Sequence, residues 1–229
     1  MNRPYVFINV AATADGKIDT FERRGAAISS ARDKERVDKL RAETDAVMVG
    51  GKTLHDEDPK LTVKSEALRS ARIARGLSAN PAKVAVATRL NIKPDSVFLN
   101  FGAAKIFLFT TRQTDSNQID FLRAHGAEVF IDNNQHVDLE KMLSTLKENG
   151  VNRLMVEGGA TLNFELMKLN LVDELNIYVA PMIFGGEKAP TTAAGSGLAR
   201  GAAVPLQLIN VEKWNDGGVV LQYKIERPK

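Results

Sequence analysis

The chain of 229 residues contains no cysteine. Disulfide bonds, thiolate nucleophiles and thiolate metal sites are therefore excluded, including the cysteine-ligated zinc site of nucleobase deaminases. The three histidines, His55, His125 and His136, are too far apart in the sequence to show a metal-ligand spacing. We predict no metal site, and the lack of cysteine leads us to expect a reducing, cytoplasmic compartment.

Long hydrophobic runs and a strong charge bias are also missing. No apolar run approaches the roughly 18 residues of a membrane-spanning helix, and the short apolar stretch near Met1 is interpreted as a first strand and not as a signal peptide. The 31 basic residues face 28 acidic ones, which gives a formal net charge of +3. Because this surplus is small, we predict no nucleic-acid partner, and the lack of a long apolar run predicts no membrane partner.

Short apolar segments alternate with amphipathic segments through the first two thirds of the chain. Strands are predicted over residues 5–11, 46–50, 83–88, 105–110, 127–131 and 153–157. Helices are predicted over residues 33–43, 64–80, 115–125, 138–149 and 160–169, with residues 64–80 exposed. Strands separated by helices of this length indicate parallel βαβ units.

The last third of the chain has a different pattern. A long strand, residues 174–184, is interrupted by Pro181, and strands at residues 206–214 and 219–226 flank the sequence Asn215-Asp216-Gly217-Gly218, a strong hairpin signal. We predict an α/β fold in which a mostly parallel, mixed sheet is flanked by helices and extended by a C-terminal antiparallel hairpin. No repeat or low-complexity block divides the sequence, so a single domain is predicted over residues 1–229.

One segment predicts a strand that turns directly into a helix at a glycine pair, Met155-Val156-Glu157-Gly158-Gly159-Ala160-Thr161-Leu162. Glycine lets the backbone approach a ligand closely, and the first turn of a helix offers unpaired N–H groups at the positive end of its dipole. Such a junction can bind a phosphate group, with Glu157 at the strand end facing the same ligand. The alternative interpretation is a plain tight turn.

Further residues extend this junction into four ordered blocks. The blocks are Asn9…Thr13-x-Asp15-Gly16-Lys17, Met48-x-Gly50…Thr53…Asp58-Pro59-x-Leu61-Thr62, Glu157-Gly158-Gly159-x-Thr161-Leu162, and Ala180-Pro181-x-Ile183-Phe184-Gly185-Gly186-x-x-Ala189-Pro190-Thr191. Together they resemble the pyrimidine reductases of riboflavin biosynthesis. The sequence is similar to the stand-alone 2,5-diamino-6-ribosylamino-4(3H)-pyrimidinone 5′-phosphate reductases and to the reductase half of the bifunctional bacterial deaminase-reductase, over nearly the whole chain.

The resemblance implies a dihydrofolate-reductase-like fold, NADPH as the hydride donor and a homodimer. The reaction would open the ribosyl ring of a ribosylaminopyrimidine 5′-phosphate and reduce C1′ to give a ribityl chain. Such a reductase needs the protein mainly to place the nicotinamide against the sugar carbon and to stabilise charge. The apolar strand at residues 175–184 is a candidate for pairing across the dimer interface.

The resemblance also assigns the site residues. The catalytic candidates are Asn9, Asp15 and Glu157. The cofactor would be bound by Thr53, Glu57, Thr88, Gly158, Gly159, Ala160 and Thr161. The substrate would be bound by Lys17, Arg41, Asp58, Leu61 and Lys64, with Arg41 and Lys64 at its phosphate. The alternatives are an exposed helix charge for Arg41 and an ordinary loop lysine for Lys64.

One position departs from the family pattern, because this chain has Glu57-Asp58-Pro59 where the relatives usually read Asp-Asp-Pro. Glutamate is one methylene longer, so the reach of this carboxylate toward substrate or cofactor differs. Two other functions stay open on the sequence. One is an NADPH reductase of the same fold that acts on a dihydrofolate-like pterin or another heterocycle, and the other is a non-catalytic nucleotide-binding relative.

Overall fold

The computed structural model describes residues 2–226. The strands are β1 (Tyr5–Thr13), β2 (Ala46–Gly50), β3 (Ala82–Val86), β4 (Ile106–Thr111), β5 (Glu128–Asp132), β6 (Arg153–Gly158), β7 (Glu174–Ala180), β8 (Leu206–Lys213) and β9 (Val219–Ile225). The helices are α1 (Ala31–Ala42), α2 (Gly51–Glu57), α3 (Glu66–Ala74), α4 (Val97–Asn100), α5 (Ser116–Ala124), α6 (Leu139–Glu148) and α7 (Ala160–Lys168), with a 3₁₀ turn at Arg200–Ala202. The chain forms two compact units. Unit 1 contains residues 2–4 and Arg36–Met155, and unit 2 contains Tyr5–Glu35 and residues 156–226.

Parallel strands form the centre of unit 1. Their order is β5-β4-β3-β2, with the first half of β6 beside β2. Every residue of β2 and β4 is buried, as expected of strands that are covered on both faces. The register pairs Gly50 with Val86, and Val86 with Phe109. The carboxyl ends of three strands therefore lie at one edge, which is where open α/β sheets bind ligands.

The α6 helix follows directly from its sequence. Met142, Leu143 and Leu146 are buried, on the stripe that their spacing predicts. Asp138 caps the helix, because its carboxylate accepts hydrogen bonds from the backbone N–H groups of Glu140 and Lys141, both at 3.0 Å. The helix predicted over residues 138–149 therefore forms, one residue shorter at each end.

The helix predicted over residues 64–80 forms only as α3, and one of its arginines is not exposed. Arg72 is 2% exposed. Its guanidinium group donates hydrogen bonds to the carbonyls of Ala42 (3.0 Å), Thr44 (2.7 Å) and Ser78 (2.8 Å). The expectation of an exposed helix was wrong at this position. The Arg72 side chain is buried because it takes the place of water as the hydrogen-bond donor to these carbonyls.

The sheet of unit 2 contains both parallel and antiparallel pairs. The second half of β6 is followed by β1, β7, β9 and β8. The β1–β7 pair is parallel, whereas β7–β9 and β8–β9 are antiparallel. The predicted C-terminal hairpin is confirmed, and Trp214 N donates to Gly218 O at 2.9 Å across its turn. Tyr178, Trp214 and Val220 belong to the core beneath it.

The strand predicted over residues 174–184 is shorter than expected, since β7 ends at Ala180. Pro181 has no backbone N–H with which to continue the ladder. The chain then turns back toward the end of β1, where Ala14 N donates to Met182 O at 2.9 Å. The suggestion that this strand pairs across a dimer interface was wrong, because β7 already pairs with β1 and β9 of its own chain.

Candidate active site

The glycine junction in unit 2 has the geometry of an anion-binding corner. β6 ends at Gly158 and α7 begins at Ala160, with Gly159 alone between them. Gly158 has φ 150° and Gly159 has φ 98°, a backbone region that residues with a Cβ rarely adopt. The first N–H groups of a helix have no acceptor within it. Among residues 2–226, no acceptor is found for the N–H groups of Ala160, Thr161 and Leu162.

A neighbouring loop holds the start of α7 in place. Ala194 N donates to Ala160 O at 3.0 Å, and Asn163 Nδ2 donates to Thr192 O at 2.9 Å. Gly195 packs so closely on the helix that a Cβ there would overlap the Phe164 ring. These three amides of the first turn are therefore carried on a fixed helix, and they present the positive end of its dipole.

Two of the predicted catalytic residues lie on the strands of unit 2. Glu157 precedes the glycine pair on β6 and is half-buried. Asn9 lies within β1, is 5% exposed and stands opposite Asn176 in the register. Both residues interact with other groups of the protein, and their catalytic roles stay predictions.

The third predicted catalytic residue, Asp15, anchors a loop. Its carboxylate accepts hydrogen bonds from Thr13 Oγ1 (2.5 Å), Gly185 N (2.8 Å) and Phe184 N (3.3 Å). The Thr13 hydroxyl, and then the two amides, lower the pKa of Asp15 from its usual value against the opposing effect of desolvation. The carboxylate is therefore ionised at neutral pH, and Asp15 is better suited to accept hydrogen bonds than to donate a proton.

Lys17 belongs to the same arrangement as Asp15. Its backbone N–H donates to Thr13 Oγ1 at 3.0 Å, and the residue forms an antiparallel bridge with Thr191. Its ammonium group lies 3.5 Å from Ala189 O. The half-buried lysine is thus held against the loop that Asp15 anchors, and its substrate role stays a prediction.

A second glycine junction, in unit 1, positions Thr53 and Glu57. α2 begins at Gly51, immediately after β2. A Cβ on Gly51 would lie only 2.6 Å from Ala87 Cβ, so only glycine lets the helix start this close to the end of β3. Thr53 is half-buried in the first turn, and Glu57 is exposed at the last residue of the helix.

Thr88 lies just beyond β3, at the same edge of the sheet. Its carbonyl accepts hydrogen bonds from the hydroxyl groups of Thr110 (3.3 Å) and Thr111 (2.8 Å), and its own hydroxyl lies 3.3 Å from His136 Nδ1. Next to it, Arg89 and Arg112 line a cavity of about 500 Å³. Both arginines are exposed, and neither has a hydrogen bond or ion pair with another residue in the described range 2–226.

Asp58, a predicted substrate ligand, has both carboxylate oxygens engaged within the protein. Oδ1 accepts hydrogen bonds from Ser96 Oγ (2.6 Å) and Phe98 N (2.8 Å), and Oδ2 accepts one from Val97 N (2.6 Å). Burial raises its pKa, but these hydrogen bonds and the charge of Lys83 outweigh burial and lower the pKa from its usual value. Its observed contacts are those of a helix cap for α4.

The other substrate candidates of unit 1 lie on or against the irregular segment that follows α2. Arg41 Nη1 donates to Thr62 O at 3.0 Å. Leu61 is 1% exposed with φ 50°, so its side chain packs in the core. Lys64 is exposed, while its backbone N–H donates to Asp38 Oδ1 at 2.6 Å. The segment therefore presents the Lys64 ammonium group from a fixed backbone.

Sequence reasoning missed the residues that fix this segment. Asp38 also accepts from Ser65 N (2.8 Å), Asn80 Oδ1 accepts from Val63 N (3.0 Å), and Arg69 Nη1 donates to the carbonyls of Val63 (3.0 Å) and Lys64 (2.7 Å). All of these bonds are made to backbone groups. No sequence motif reveals these residues, because a side chain that bonds to backbone groups does not constrain the residue types of the segment it holds.

With this geometry established, the chain can be compared with known proteins. A family model described as the RibD C-terminal domain matches residues 4–220. The chain belongs to this family. It is 42% identical to the 2,5-diamino-6-ribosylamino-4(3H)-pyrimidinone 5′-phosphate reductase of Archaeoglobus fulgidus, over 84% of this chain and 87% of that protein. It is 38% identical to the protein of the same name from Methanothermobacter thermautotrophicus, over 90% of this chain and 91% of that one.

Solved structures agree with the family assignment at the level of the fold. RibD of Acinetobacter baumannii superposes with a TM-score of 0.81 at 21% identity, over 99% of this chain and 59% of that chain. The family predicted from the four motif blocks and the predicted fold class are confirmed. In the range 2–226, no helix is both long and apolar enough to cross a bilayer.

Proposed function

We propose that this RibD-family chain is an NADPH-dependent 2,5-diamino-6-ribosylamino-4(3H)-pyrimidinone 5′-phosphate reductase, which converts the ribosyl group of its substrate to a ribityl chain. The observation that carries the proposal is the rigid β6–α7 corner, where three helical amides lack acceptors among residues 2–226. The chain that contains this corner is 42% identical to a reductase of that name.

The chemistry of the corner fits a dinucleotide diphosphate. Two glycines leave its backbone without a Cβ, and the amides of Ala160, Thr161 and Leu162 point out of the first turn of α7. Bound NADPH would supply a hydride to C1′, and a proton would complete the reduction. Asp15 is proposed to position the neighbouring loop as an ionised carboxylate, because the Thr13 hydroxyl and the amides of Gly185 and Phe184 donate hydrogen bonds to it and lower its pKa. Asn9 and Glu157 are proposed to bind the sugar.

The substrate phosphate is best matched by Lys64. Its ammonium group is exposed, and the backbone that carries it is fixed on both sides by Asp38 and Arg69. Arg41 is a weaker match, because one of its nitrogens already donates to Thr62 O. Basic side chains held in place in this way bind phosphate through charge-assisted hydrogen bonds.

The reaction itself is tested with the purified chain, NADPH and the ribosylaminopyrimidine phosphate. We expect one NADPH to be oxidised for each ribityl product, identified by mass spectrometry. Oxidation with a dihydropterin but not with the ribosylaminopyrimidine would favour a different reductase of this fold. Tight binding of NADPH without oxidation by either compound would favour a nucleotide-binding relative.

A preference for NADPH over NADH is expected from the two arginines near Thr88. Arg89 and Arg112 line the cavity next to the predicted cofactor ligand Thr88, where we expect the adenosine end of the cofactor to bind, and their guanidinium groups suit the 2′-phosphate that NADH lacks. Replacing both with alanine is expected to raise the NADPH Kd about tenfold or more and to leave the NADH Kd within about twofold. Fluorescence titration measures both constants.

The control for these two substitutions is Arg123→Ala. Arg123 is an exposed arginine of α5 whose guanidinium group contacts only Val129 O among the described hydrogen bonds, at 3.4 Å. This variant should leave both constants unchanged. Equal losses for NADPH and NADH in the double variant would place the 2′-phosphate elsewhere.

A homodimer is proposed to form through β8. This edge strand is exposed along its whole length, and Leu206, Leu208, Ile209 and Val211 are between 42% and 56% exposed. The register shift between Leu208 and Asn210 places Val211 opposite Leu221, so that Leu206, Leu208 and Val211 share one face. An apolar face on an unpaired edge is a surface that a second copy can cover.

The dimer proposal predicts the effect of a charge on this face. Sedimentation of the wild type should give twice the chain mass of 25.0 kDa. Leu208→Lys should raise the dissociation constant of the dimer about a hundredfold, because the dimer would then bury an unpaired charge. Lys224→Glu, at an exposed position on β9, is the control. A wild-type protein of 25.0 kDa at all concentrations would contradict the proposal.

A cytoplasmic location stays a prediction from the absence of cysteine.

A further inference from the structure

A buried lysine that no sequence motif identified lies in the centre of unit 1. Lys83, on β3, is 0% exposed. Its ammonium group donates hydrogen bonds to the carbonyls of Phe98 (2.7 Å) and Phe101 (2.6 Å), at the C-terminal side of α4. A positive charge is favourable at this end of a helix. Lysine is almost never fully buried unless it has such partners.

The opposite end of α4 is held by an opposite charge. The Asp58 carboxylate accepts hydrogen bonds from the N–H groups of Val97 and Phe98, both within the first turn. A helix of four residues is too short to be stable by itself. α4 is therefore fixed between Asp58 at its N-terminus and Lys83 at its C-terminus, and we name these two residues and Val97–Asn100 the α4 clamp.

The clamp is connected to the segment that carries Lys64. Asp58 and Leu61 have φ 43° and φ 50°, conformations that residues other than glycine adopt only when their surroundings impose them. The residues after α4 also pack on this segment. Lys60 Nζ lies 4.1 Å from the centre of the Phe101 ring, and a Cβ on Gly102 would lie 2.9 Å from Thr62 Cγ2. A displacement of α4 would therefore displace residues 58–62.

We propose that Asp58 and Lys83 are positioning residues, which act through α4 to fix the backbone of residues 58–64 and so place Lys64 for the phosphate of the substrate. The proposal rests on the proposed function in one respect, the assignment of Lys64 to the substrate. It replaces the predicted role of Asp58 as a substrate ligand, because both oxygens of that carboxylate are engaged by α4 and Ser96.

The charge on Lys83 makes the α4 clamp dependent on pH. Burial lowers the pKa of Lys83 to about 8, although the negative charge of Asp58 acts in the opposite direction. Asp58 is the charged group that acts on it most strongly, and hydrogen bonds from Ser96, Phe98 and Val97 lower the pKa of that carboxyl further from this pH range. Above about pH 8 the ammonium group is lost, and the charge that holds the C-terminal end of α4 disappears.

The proposal is tested with Lys83→Met, which keeps the length of the side chain and removes its charge and donors. We expect the substrate KM to rise about tenfold, with the NADPH Kd, measured by direct titration, within about twofold. In the wild type, KM should rise as pH increases through about 8, and Lys83→Met should lack that step. Lys83→Arg, which keeps a charge above pH 8, should also lack the step.

Two further variants complete the test. Asp58→Asn keeps one acceptor oxygen and should raise KM in the same way, even if Lys83→Met does not fold. Lys105→Met is the control, because Lys105 is a half-exposed lysine whose ammonium group pairs with Glu128 at 2.9 Å. An unchanged KM in both Lys83→Met and Asp58→Asn, or a KM step at pH 8 that persists in Lys83→Met, would overturn the proposal.

Hydrogen exchange separates this proposal from the proposed function. The amides of Val63, Lys64 and Ser65 are bonded to Asn80 and Asp38 and should exchange about tenfold faster in Lys83→Met than in the wild type. Amides of α6 should be unaffected. If the wild type reduces no ribosylaminopyrimidine but this exchange pattern is found, the function is wrong and the clamp stands. Unchanged exchange at residues 63–65 contradicts the clamp whatever the activity.

Discussion

Replacing Gly159 with valine is expected to raise the NADPH Kd at least about tenfold. Gly159 has φ 98° and ψ 93° and is the single residue between β6 and α7. A β-branched residue is strongly disfavoured there. The chain must then relax, and the amides of Ala160, Thr161 and Leu162 lose the orientation that the diphosphate requires. The measurement is a fluorescence titration with NADPH.

The chain offers a matched control in Gly150. This residue also has a positive φ, 86°, but a Cβ on it would meet nothing within 4 Å. Gly150→Val therefore introduces comparable backbone strain away from the junction. We expect it to lower stability while keeping the NADPH Kd within about twofold. An equal increase of Kd in both variants would mean that strain, and not the junction, weakens binding.

Replacing Glu157 with glutamine is expected to lower kcat about a hundredfold and to leave the NADPH Kd near its wild-type value. Glu157 is half-buried at the end of β6, immediately before the glycine pair. Glutamine keeps the shape of the side chain and removes its charge, so the change isolates what the carboxylate contributes to the sugar. Single-turnover kinetics, together with a separate NADPH titration, measure the two quantities.

The control for Glu157 is Glu165→Gln in α7. Glu165 is half-buried and lies 3.7 Å from Lys168, a partly exposed pair that contributes little to stability. This variant should behave like the wild type. Loss of NADPH affinity in Glu157→Gln, with normal turnover at saturating NADPH, would instead place the carboxylate on the nucleotide.

The regular elements of this fold were largely predictable because their signals are local. Met142, Leu143 and Leu146 repeat at helical spacing and are buried in α6. The sequence Asn215-Asp216-Gly217-Gly218 predicts the turn that joins β8 and β9. The end of β7 was predicted wrongly because an apolar run continues past Pro181, while the strand cannot.

The candidate site was likewise predictable only where its sequence signal is local. The glycine junction was predictable, because the sequence itself shows Gly158 and Gly159 at a point where the backbone needs a conformation that glycine adopts readily. The contacts of Asp15 and Asp58 were not, because a carboxylate that caps backbone amides has the same sequence signature as one that binds a ligand. Lys83 gave no signal at all, since a lysine in an apolar strand indicates burial only once its distant carbonyl partners are known.

The central claim is that the amides at the start of α7 bind the diphosphate of NADPH. A crystal structure of the NADPH complex tests it most directly. We expect diphosphate oxygens within about 3.2 Å of the backbone nitrogens of Ala160, Thr161 or Leu162. A well-ordered NADPH whose diphosphate lies away from this corner, with those amides bonded to water, would contradict the claim.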